Sequence, residues 1–242
     1  MGATEGRPVV GVIGAMDVEV ELLRERMEGL RLERAGRLEV ACGTLGGVEC
    51  RVMRSGVGKV AAAMAAELLV VGHGATHLVN TGVAGAIDPT LRVGDMVVST
   101  DCVHHDVDAG AIGYPPGQLP ELEVLSFPAD GELASLAAAA CAEVAPEARC
   151  VRGRVASGDQ FVGDEATHAR VRSQFGAACC EMEGTPIAQV AWTNEVPFVV
   201  VRCISDGADD GSAVDYPAFE RMAAHRCAAI VERMLVRLGE PS

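Results

Sequence analysis

The stretch "FVVVRCISDGADD", residues 198–210, combines a run of apolar, mostly β-branched residues with an arginine near its centre and three aspartates towards its end. Its length and its valine content predict a buried strand of an α/β sheet. Arg202 lies inside this strand and Asp206 closes it, and burial of either charge is unfavourable unless the charge is paired or used. The segment therefore predicts a core strand that ends at a polar site.

On both sides of this segment, predicted strands alternate with predicted helices. Apolar runs predict strands at 8–16, 76–87, 93–105, 148–161, 177–184 and 196–205, with a hairpin over 37–58. Amphipathic or alanine-rich runs predict helices at 17–28, 59–74, 131–144, 164–175, 185–195 and 215–239. Because no linker or repeat interrupts this alternation, we predict one α/β domain over 1–242, with a mixed sheet covered on both faces.

Charge and composition limit the classes of partner. The 242 residues carry a formal net charge of −14, and Lys59 is the single lysine. Such a field repels nucleic acids and anionic membranes, so we expect neither as a partner. The nine cysteines are odd in number and form no C-x-x-C motif, which predicts reduced core thiols. Together with an N-terminus that lacks a signal-peptide apolar region, this predicts a cytoplasmic protein.

Six segments at predicted strand ends are rich in glycines or acids, and ligands of such sheets bind beyond the carboxyl ends of the strands. The segments are "GAMDVE" (14–19), "SGVGK" (55–59), "NTGVAG" (80–85), "SGDQF" (157–161), "EMEG" (181–184) and "RCISDGAD" (202–209). Glycines at these positions allow tight turns or a close approach of the backbone to a ligand. Each segment alone is also compatible with an ordinary turn.

The acids in these segments allow both structural and chemical interpretations. On a strand, Glu181 and Glu183 would point to one face, where Arg202 could pair with one of them in a structural network, or one could bind a sugar diol. Asp206 could cap a turn, or could hold a proton for a leaving group if burial raised its pKa. Glu19 could simply stabilise the N-terminus of its helix.

Taken together, the motifs "VIGAMDVEVELL", "SGVGKVAAA", "VNTGVAGAI", "GDMVVS", "GYPPGQLP", "SGDQFV", "EMEGTPIAQV" and "PFVVVRCISDGAD" resemble the bacterial 5′-methylthioadenosine/S-adenosylhomocysteine nucleosidases, within the purine nucleoside phosphorylase superfamily. The resemblance runs from about residue 9 to the C-terminal helix. It implies a three-layer α/β/α fold with a central mixed, mostly parallel sheet. It also implies a homodimer in which the loop over residues 106–120 contributes to the neighbouring subunit's pocket.

The resemblance also implies a role for each candidate residue. Asp206 matches the general acid that protonates N7 of adenine, Glu19 the carboxylate that orients the attacking water, and Glu183 the ligand of the ribose hydroxyls. The remaining matches are Met182 packed on the ribose, Glu181 and Arg202 as the supporting polar shell, Phe161 stacked on adenine, Val162 at the base edge through its backbone, Ser205 beside the acid, Met16 and Val83 at the substrate, Tyr216 and Phe219 at the 5′-alkylthio group, and Ile112 and Tyr114 reaching into the neighbouring pocket.

Several alternatives stay open at this stage. Val83 stands where many of these nucleosidases have serine, which leaves the water site and the substrate ranking undetermined. The acidic field and Glu19 favour hydrolysis over phosphorolysis, because a phosphorylase needs cations for phosphate. Aminodeoxyfutalosine is an alternative substrate, and a non-catalytic nucleoside-binding protein is the alternative outside enzymes. We expect neither an organic cofactor nor a metal, although His104, His105 and Asp106 form a short run of possible ligands.

Overall fold

The computed structural model describes residues 7–206 and 216–240, without the side chains of residue 206 and residues 216–220. Within these ranges the strands are β1 (Val9–Gly14), β2 (Glu28–Ala35), β3 (Leu38–Leu45), β4 (Val48–Arg54), β5 (His77–Ala86), β6 (Met96–His104), β7 (Phe127–Pro128), β8 (Cys150–Ser157), β9 (Cys179–Glu181) and β10 (Phe198–Asp206). The helices are α1 (Asp17–Arg26), α2 (Lys59–Glu67), α3 (Gly131–Val144), α4 (Glu165–Phe175), α5 (Gly184–Thr193) and α6 (Tyr216–Leu238).

The strands form one mixed sheet that closes on itself at one end. From β2 at the edge, the order runs through β3, β4 and β1 to β5, and the long β1–β4, β5–β10 and β6–β8 pairings are parallel. Strand β10 pairs with both β5 and β6. As a result β5, β9, β8, β6 and β10 form a closed ring of strands, with β1 to β4 extending from it.

Helices cover both faces of the sheet, as the sequence predicted. On one face α1, α3 and α6 share a core with alternate residues of the sheet, including Val20, Leu133 and Val231. On the other face α2 and α5 pack together through small residues such as Ala62 and Ala188. The abundance of alanine explains the close packing of these helices, because a methyl side chain lets a helix axis approach the sheet. The architecture is the expected three-layer α/β/α arrangement.

Two local features differ from the sequence-based expectations. Strand β2 begins where the helix over 17–28 was expected to end, and nearly all its residues are exposed; Leu30 and Leu32 give it only two alternating apolar positions, too few to reveal it. The expected strand over 177–184 is much shorter, since β9 ends at Glu181 and α5 begins at Gly184. Within the described residues no helix is both long enough and apolar enough to span a membrane.

Candidate active site

A cleft opens where the carboxyl ends of β1, β4, β5 and β10 meet. Strand β9 runs antiparallel to the end of β5, with Cys180 beside Gly85, and so brings Glu181 and the start of α5 back to the same place. The described residues that line the cleft are Ala15, Met16, Glu19, Val57, Val83, Ala84, Gly85, Gln160, Phe161, Val162, Cys180, Glu181, Met182, Glu183 and Ser205. Nine of the residues predicted for the site are among them.

Arg202 is the buried cation at the base of this cleft. Arg202 is 1% exposed, and its Nη2 contacts Glu181 Oε2 and the amide oxygen of Asn80 on β5. Glu183 Oε2 lies 3.8 Å from the same nitrogen. Burial alone would lower the pKa of the guanidinium, but the surrounding carboxylates raise it above its ordinary value, so Arg202 is charged. The predicted pairing of Arg202 with an acid of the "EMEG" segment is therefore present.

Glu181 is fixed by several donors as well as by Arg202. Its Oε2 accepts hydrogen bonds from the backbone N–H groups of Glu183 at 3.0 Å and Gly184 at 2.7 Å, at the N-terminus of α5. Its Oε1 accepts from the hydroxyl of Ser157 on β8. An anion at a helix N-terminus is stabilised by the unpaired N–H groups there. Glu181 therefore supports the cleft rather than being free to react.

Glu183 lies in the cleft, but on the N-cap of α5 and not on the strand that the sequence predicted. The sequence placed it on the same strand face as Glu181, but β9 has ended and Glu183 precedes α5 with φ −129° and ψ −33°. The start of α5, and not the alternation of side chains along a strand, places the carboxylates of Glu181 and Glu183 on the same side, facing Arg202. The N–H of Gly58 donates to Glu183 Oε1 at 2.9 Å. Burial, and then the neighbouring Glu181 carboxylate, raise the pKa of Glu183 to about 7.

Glu19 lies in the first turn of α1, and its carboxylate turns back over the end of β1. Oε2 accepts from the N–H groups of Ala15 at 2.7 Å and Met16 at 3.0 Å, and Oε1 accepts from Val83 N–H at 3.2 Å. These bonds stabilise the helix N-terminus, as the structural interpretation of Glu19 predicted. The same carboxylate also lines the cleft. Burial raises its pKa, and Arg202 opposes that increase.

Gly82 allows Glu19 and Arg202 to approach each other from opposite sides of β5. Its φ is +154°, and a Cβ at this position would contact both Arg202 Nη1 and Glu19 Oε1. No side chain larger than hydrogen fits between them without movement of a buried charge. The glycine in "NTGVAG" thus has a packing reason, which the sequence suggested only as a general possibility.

The outer wall of the cleft is apolar and includes Phe161, Val162, Met182, Met16 and Val57. Phe161 is 75% exposed, an unusual state for a large aromatic side chain in a folded domain. It lies on the loop between β8 and α4, where its ring presents a flat apolar surface at the cleft. This arrangement is suited to stacking of a planar base.

The loop that carries Phe161 is tied to the start of α2 by three residues, which we call the loop clamp: Lys59, Asp106 and Asp159. Lys59 Nζ donates to Asp106 Oδ1 at 2.7 Å, and Asp159 N–H donates to Asp106 Oδ2 at 2.9 Å. Lys59 N–H donates to Asp159 Oδ1 at 2.7 Å. The clamp holds this loop beside Gly58, whose N–H donates to Glu183. It therefore links the position of the Phe161 ring to the position of the Glu183 carboxylate.

Some predicted residues are not part of this cleft in the described structure. Ile112, which is 69% exposed, and Tyr114, whose hydroxyl accepts from Glu121 N–H at 3.3 Å, do not line the cleft of their own subunit; the sequence placed both in the neighbouring subunit's pocket. The side chains of Asp206, Tyr216 and Phe219 lie outside the described residues. The backbone of Asp206 pairs with Gly85 after an irregularity in the β5–β10 register, at the edge of the cleft.

Sequence reasoning missed the residues that act through the backbone or from behind the carboxylates. Asn80 and Ser157 are fully buried polar residues that orient Arg202 and Glu181, and Gly58 contributes only its N–H. Asn80 and Ser157 belong to segments already singled out, "NTGVAG" and "SGDQF". A buried polar residue at a strand end was the available signal, because such a residue needs a partner.

Comparison with known proteins gives the family. The sequence model of the phosphorylase superfamily matches residues 9–236. The chain belongs to the phosphorylase superfamily. Within this superfamily it is similar to a 5′-methylthioadenosine/S-adenosylhomocysteine nucleosidase from Colwellia psychrerythraea 34H, solved with adenine, at 35% identity, a TM-score of 0.90 and 96% coverage of both chains.

The chain is also similar to two further solved structures. A 5′-methylthioadenosine/S-adenosylhomocysteine nucleosidase from Neisseria meningitidis, in complex with methylthio-immucillin-A, is 38% identical over 95% of this chain and 99% of that one, with a TM-score of 0.89. A futalosine hydrolase mutant from Helicobacter pylori is 28% identical over 95% and 99% of the chains, with a TM-score of 0.87. The resemblance predicted from the sequence motifs is confirmed.

Proposed function

We propose that this protein hydrolyses the N-glycosidic bond of 5′-methylthioadenosine and S-adenosylhomocysteine, releasing adenine and the 5-thioribose product. The observation that carries the proposal is the cluster of three buried carboxylates, Glu19, Glu181 and Glu183, around Arg202 at the strand ends. Similar nucleosidases that were solved with adenine and with methylthio-immucillin-A support this assignment. The reaction passes through an oxocarbenium-like state, whose positive charge nearby carboxylates stabilise.

We assign separate roles to the acids in this reaction. Glu183 accepts hydrogen bonds from the ribose hydroxyls, and its contact with Gly58 N–H leaves further lone pairs for that purpose. Glu19 orients the attacking water, while its backbone donors fix the direction of its oxygens. Asp206 protonates N7 of adenine, which makes the base a better leaving group. Glu181 and Arg202 hold this arrangement in place.

The remaining cleft residues form the substrate walls in this proposal. Phe161 stacks on adenine and the backbone of Val162 meets the base edge. Met182 packs against the ribose. The other proposed contacts are Met16, Val83 and Ser205 in the cleft, and Tyr216 and Phe219 at the 5′ group.

Hydrolysis is favoured over phosphorolysis by the charges of the cleft. None of the described residues that line it is lysine or arginine, and Glu19 lies near the position proposed for the nucleophile. Arg202 is occupied by Glu181 and Asn80 behind the lining. An anionic nucleophile would meet carboxylates without a free cation, whereas water would find an acceptor in Glu19.

A second candidate substrate has a specific observation in its favour. The similarity to a Helicobacter pylori futalosine hydrolase covers nearly the full chain. The two classes of substrate differ in the group on the 5′ carbon, and the proposed 5′ contacts Tyr216 and Phe219 have side chains outside the described residues. Aminodeoxyfutalosine is therefore the alternative substrate for the same reaction.

We also propose a cytoplasmic homodimer of single-domain subunits, in which the 106–120 loop, through Ile112 and Tyr114, completes the partner's cleft. Exposed apolar side chains near the cleft support a second copy of this chain as the occupant: Val57, Val60 and Met64 are each more than half exposed around the start of α2. The nine free thiols are compatible with a reducing compartment. Size-exclusion chromatography with light scattering tests the dimer, and a monomer at micromolar concentration would contradict it.

The deciding experiment is adenine release from 5′-methylthioadenosine by the purified protein, in phosphate-free buffer and again with phosphate. We expect equal rates in both. Release only with phosphate would contradict hydrolysis and the role of Glu19. Release only from aminodeoxyfutalosine would favour the second candidate, and no release from either would favour a binding protein.

Variants then test the assignment of the acids. Asp206→Asn should fold and lose at least about 100-fold in activity, the lower range for a general acid. Glu19→Gln should also lose activity, while Asp17→Asn, which alters an exposed carboxylate on the same helix turn, serves as its control. Wild-type rates in Asp206→Asn would contradict its proposed role.

A further inference from the structure

Three potential metal ligands that do not line the cleft lie close together beside the outer strands β2 and β3. Glu33 on β2, Cys42 on β3 and His73, which follows α2, place a carboxylate oxygen, a thiol sulfur and an imidazole nitrogen within 4.8 Å of one another. His73 Nδ1 lies 3.5 Å from Glu33 Oε2. The three residues belong to three different elements, so their proximity is a product of the tertiary fold.

The strand register explains how two of these side chains meet. Strands β2 and β3 are antiparallel, with Glu33 opposite Val40 and Arg31 opposite Cys42. Glu33 and Cys42 are therefore diagonal neighbours on one face of the pair, at a distance that long side chains bridge. Val40 and Cys42 belong to the core under α2, while Ala41 belongs to the core on the opposite face. Cys42 thus points towards the layer that contains α2.

The third ligand reaches this face through an irregularity of α2. The helix continues after Glu67 as a π-helical turn over Leu68–Gly72, and His73 closes it. Gly74 then adopts φ +68°, which turns the chain towards β5. The imidazole of His73 is held over the outer strands by this turn. π-Helical turns are frequently associated with functional sites in proteins.

We propose that Glu33, Cys42 and His73 form a zinc site with an open fourth position for water. Thiolate sulfur, imidazole nitrogen and carboxylate oxygen are all zinc ligands, and three protein ligands plus water is a common coordination. With zinc–ligand bonds of about 2.0–2.3 Å, a tetrahedral ion needs its ligands within about 4 Å of each other. The observed ligand atoms lie within 4.8 Å of one another, so a bound ion would need to draw them slightly closer together. The proposal is independent of the nucleosidase assignment.

Binding requires displacement of the Cys42 proton. Cys42 is a free thiol in the metal-free protein. When Zn²⁺ binds, the zinc–sulfur bond forms, the sulfur–hydrogen bond breaks, and one proton passes to solvent. Affinity should therefore increase with pH. A bound ion would also join the exposed edge strand β2 to β3 and to the end of α2.

The test is titration of reduced, chelator-treated full-length protein with Co²⁺ and Zn²⁺. We expect one equivalent of Co²⁺ to bind with a thiolate-to-cobalt charge-transfer band, and Zn²⁺ to displace it. Cys42→Ser should abolish the band and weaken zinc binding by more than about 100-fold, since loss of a direct ligand exceeds the effect of an outer contact. Cys150→Ser, which removes a half-buried thiol elsewhere, should keep both.

His73, whose side chain is 13% exposed, provides a second variant that leaves the buried thiol of Cys42 in place. His73→Gln should weaken zinc binding at least about 10-fold and remove the zinc-dependent increase in melting temperature, with an unchanged circular dichroism spectrum. Absence of a band in the wild type would overturn the proposal. A band that persists in Cys42→Ser, or one that Cys150→Ser removes, would also overturn it, because the thiolate would then lie elsewhere.

Discussion

Replacing Glu183 with glutamine removes a buried carboxyl that should make the stability of this protein depend on pH. In the folded protein, burial and the neighbouring Glu181 carboxylate raise the pKa of Glu183 from an ordinary 4.5 to about 7. The unfolded chain exposes the side chain, so there its pKa is close to the ordinary value. Between pH 4.5 and 7 the folded state therefore holds a proton that the unfolded state has released.

The sign and size of the effect follow from proton linkage. Where the folded state binds more protons, the free energy of unfolding falls as pH rises. The contribution of Glu183 is fully present below pH 4.5 and is lost as pH rises through about 7. At 1.36 kcal/mol for each pH unit, this interval corresponds to about 3 kcal/mol, an order-of-magnitude value. Glu183→Gln lacks a titrating group at this position and should not show this loss.

The assay is urea unfolding in reducing buffer at pH 5 and pH 8, with protein concentration held constant because an oligomer's stability depends on it. We expect the free energy of unfolding of the wild type to fall by about 2–3 kcal/mol more than that of Glu183→Gln between pH 5 and pH 8. Glu25→Gln, which changes an exposed carboxylate on α1, is the matched control and should follow the wild type. Equal pH dependence in wild type and Glu183→Gln would refute the argument from burial.

Three further substitutions test the buried cluster and its supports. Arg202→Met leaves Glu181 buried without its cation. We expect the free energy of unfolding, measured by urea titration, to fall by about 3–5 kcal/mol. An unchanged free energy of unfolding would contradict a charged pair. Gly82→Ala inserts a methyl group against Arg202 and Glu19, so kcat should fall at least about 10-fold in the adenine-release assay. An unchanged kcat would mean that the site tolerates a shift of these two side chains. Lys59→Met breaks the loop clamp and should lower kcat/KM about 10-fold while the free energy of unfolding changes by less than about 1 kcal/mol, because the ion pair is partly exposed. Lys59→Arg should restore most of the activity, and equal activity in all three proteins would exclude a positioning role.

The order of elements and the location of the site were predictable from local patterns. Apolar runs such as 198–205 identify core strands because a parallel strand covered on both faces has no polar side. The helix over 131–144 coincides with α3, whose N-cap Asp130 accepts from Leu133 N–H. Strand β2 was missed because it is almost entirely exposed and has only two alternating apolar residues, Leu30 and Leu32. Strand β9 was overextended because "EMEG" does not reveal where a strand ends and a helix begins.

What the sequence by itself determined is the alternation of strands and helices, the glycines and acids at the strand ends, and the family to which the motifs belong. These features depend on neighbouring residues, whose periodicity is visible in the chain. The tertiary structure alone decided that β10 closes the ring through β5, that Arg202 contacts Asn80 from 122 positions away, and that Glu183 has a pKa of about 7. Burial and charge proximity arise only when distant segments pack together, so no local pattern specifies them.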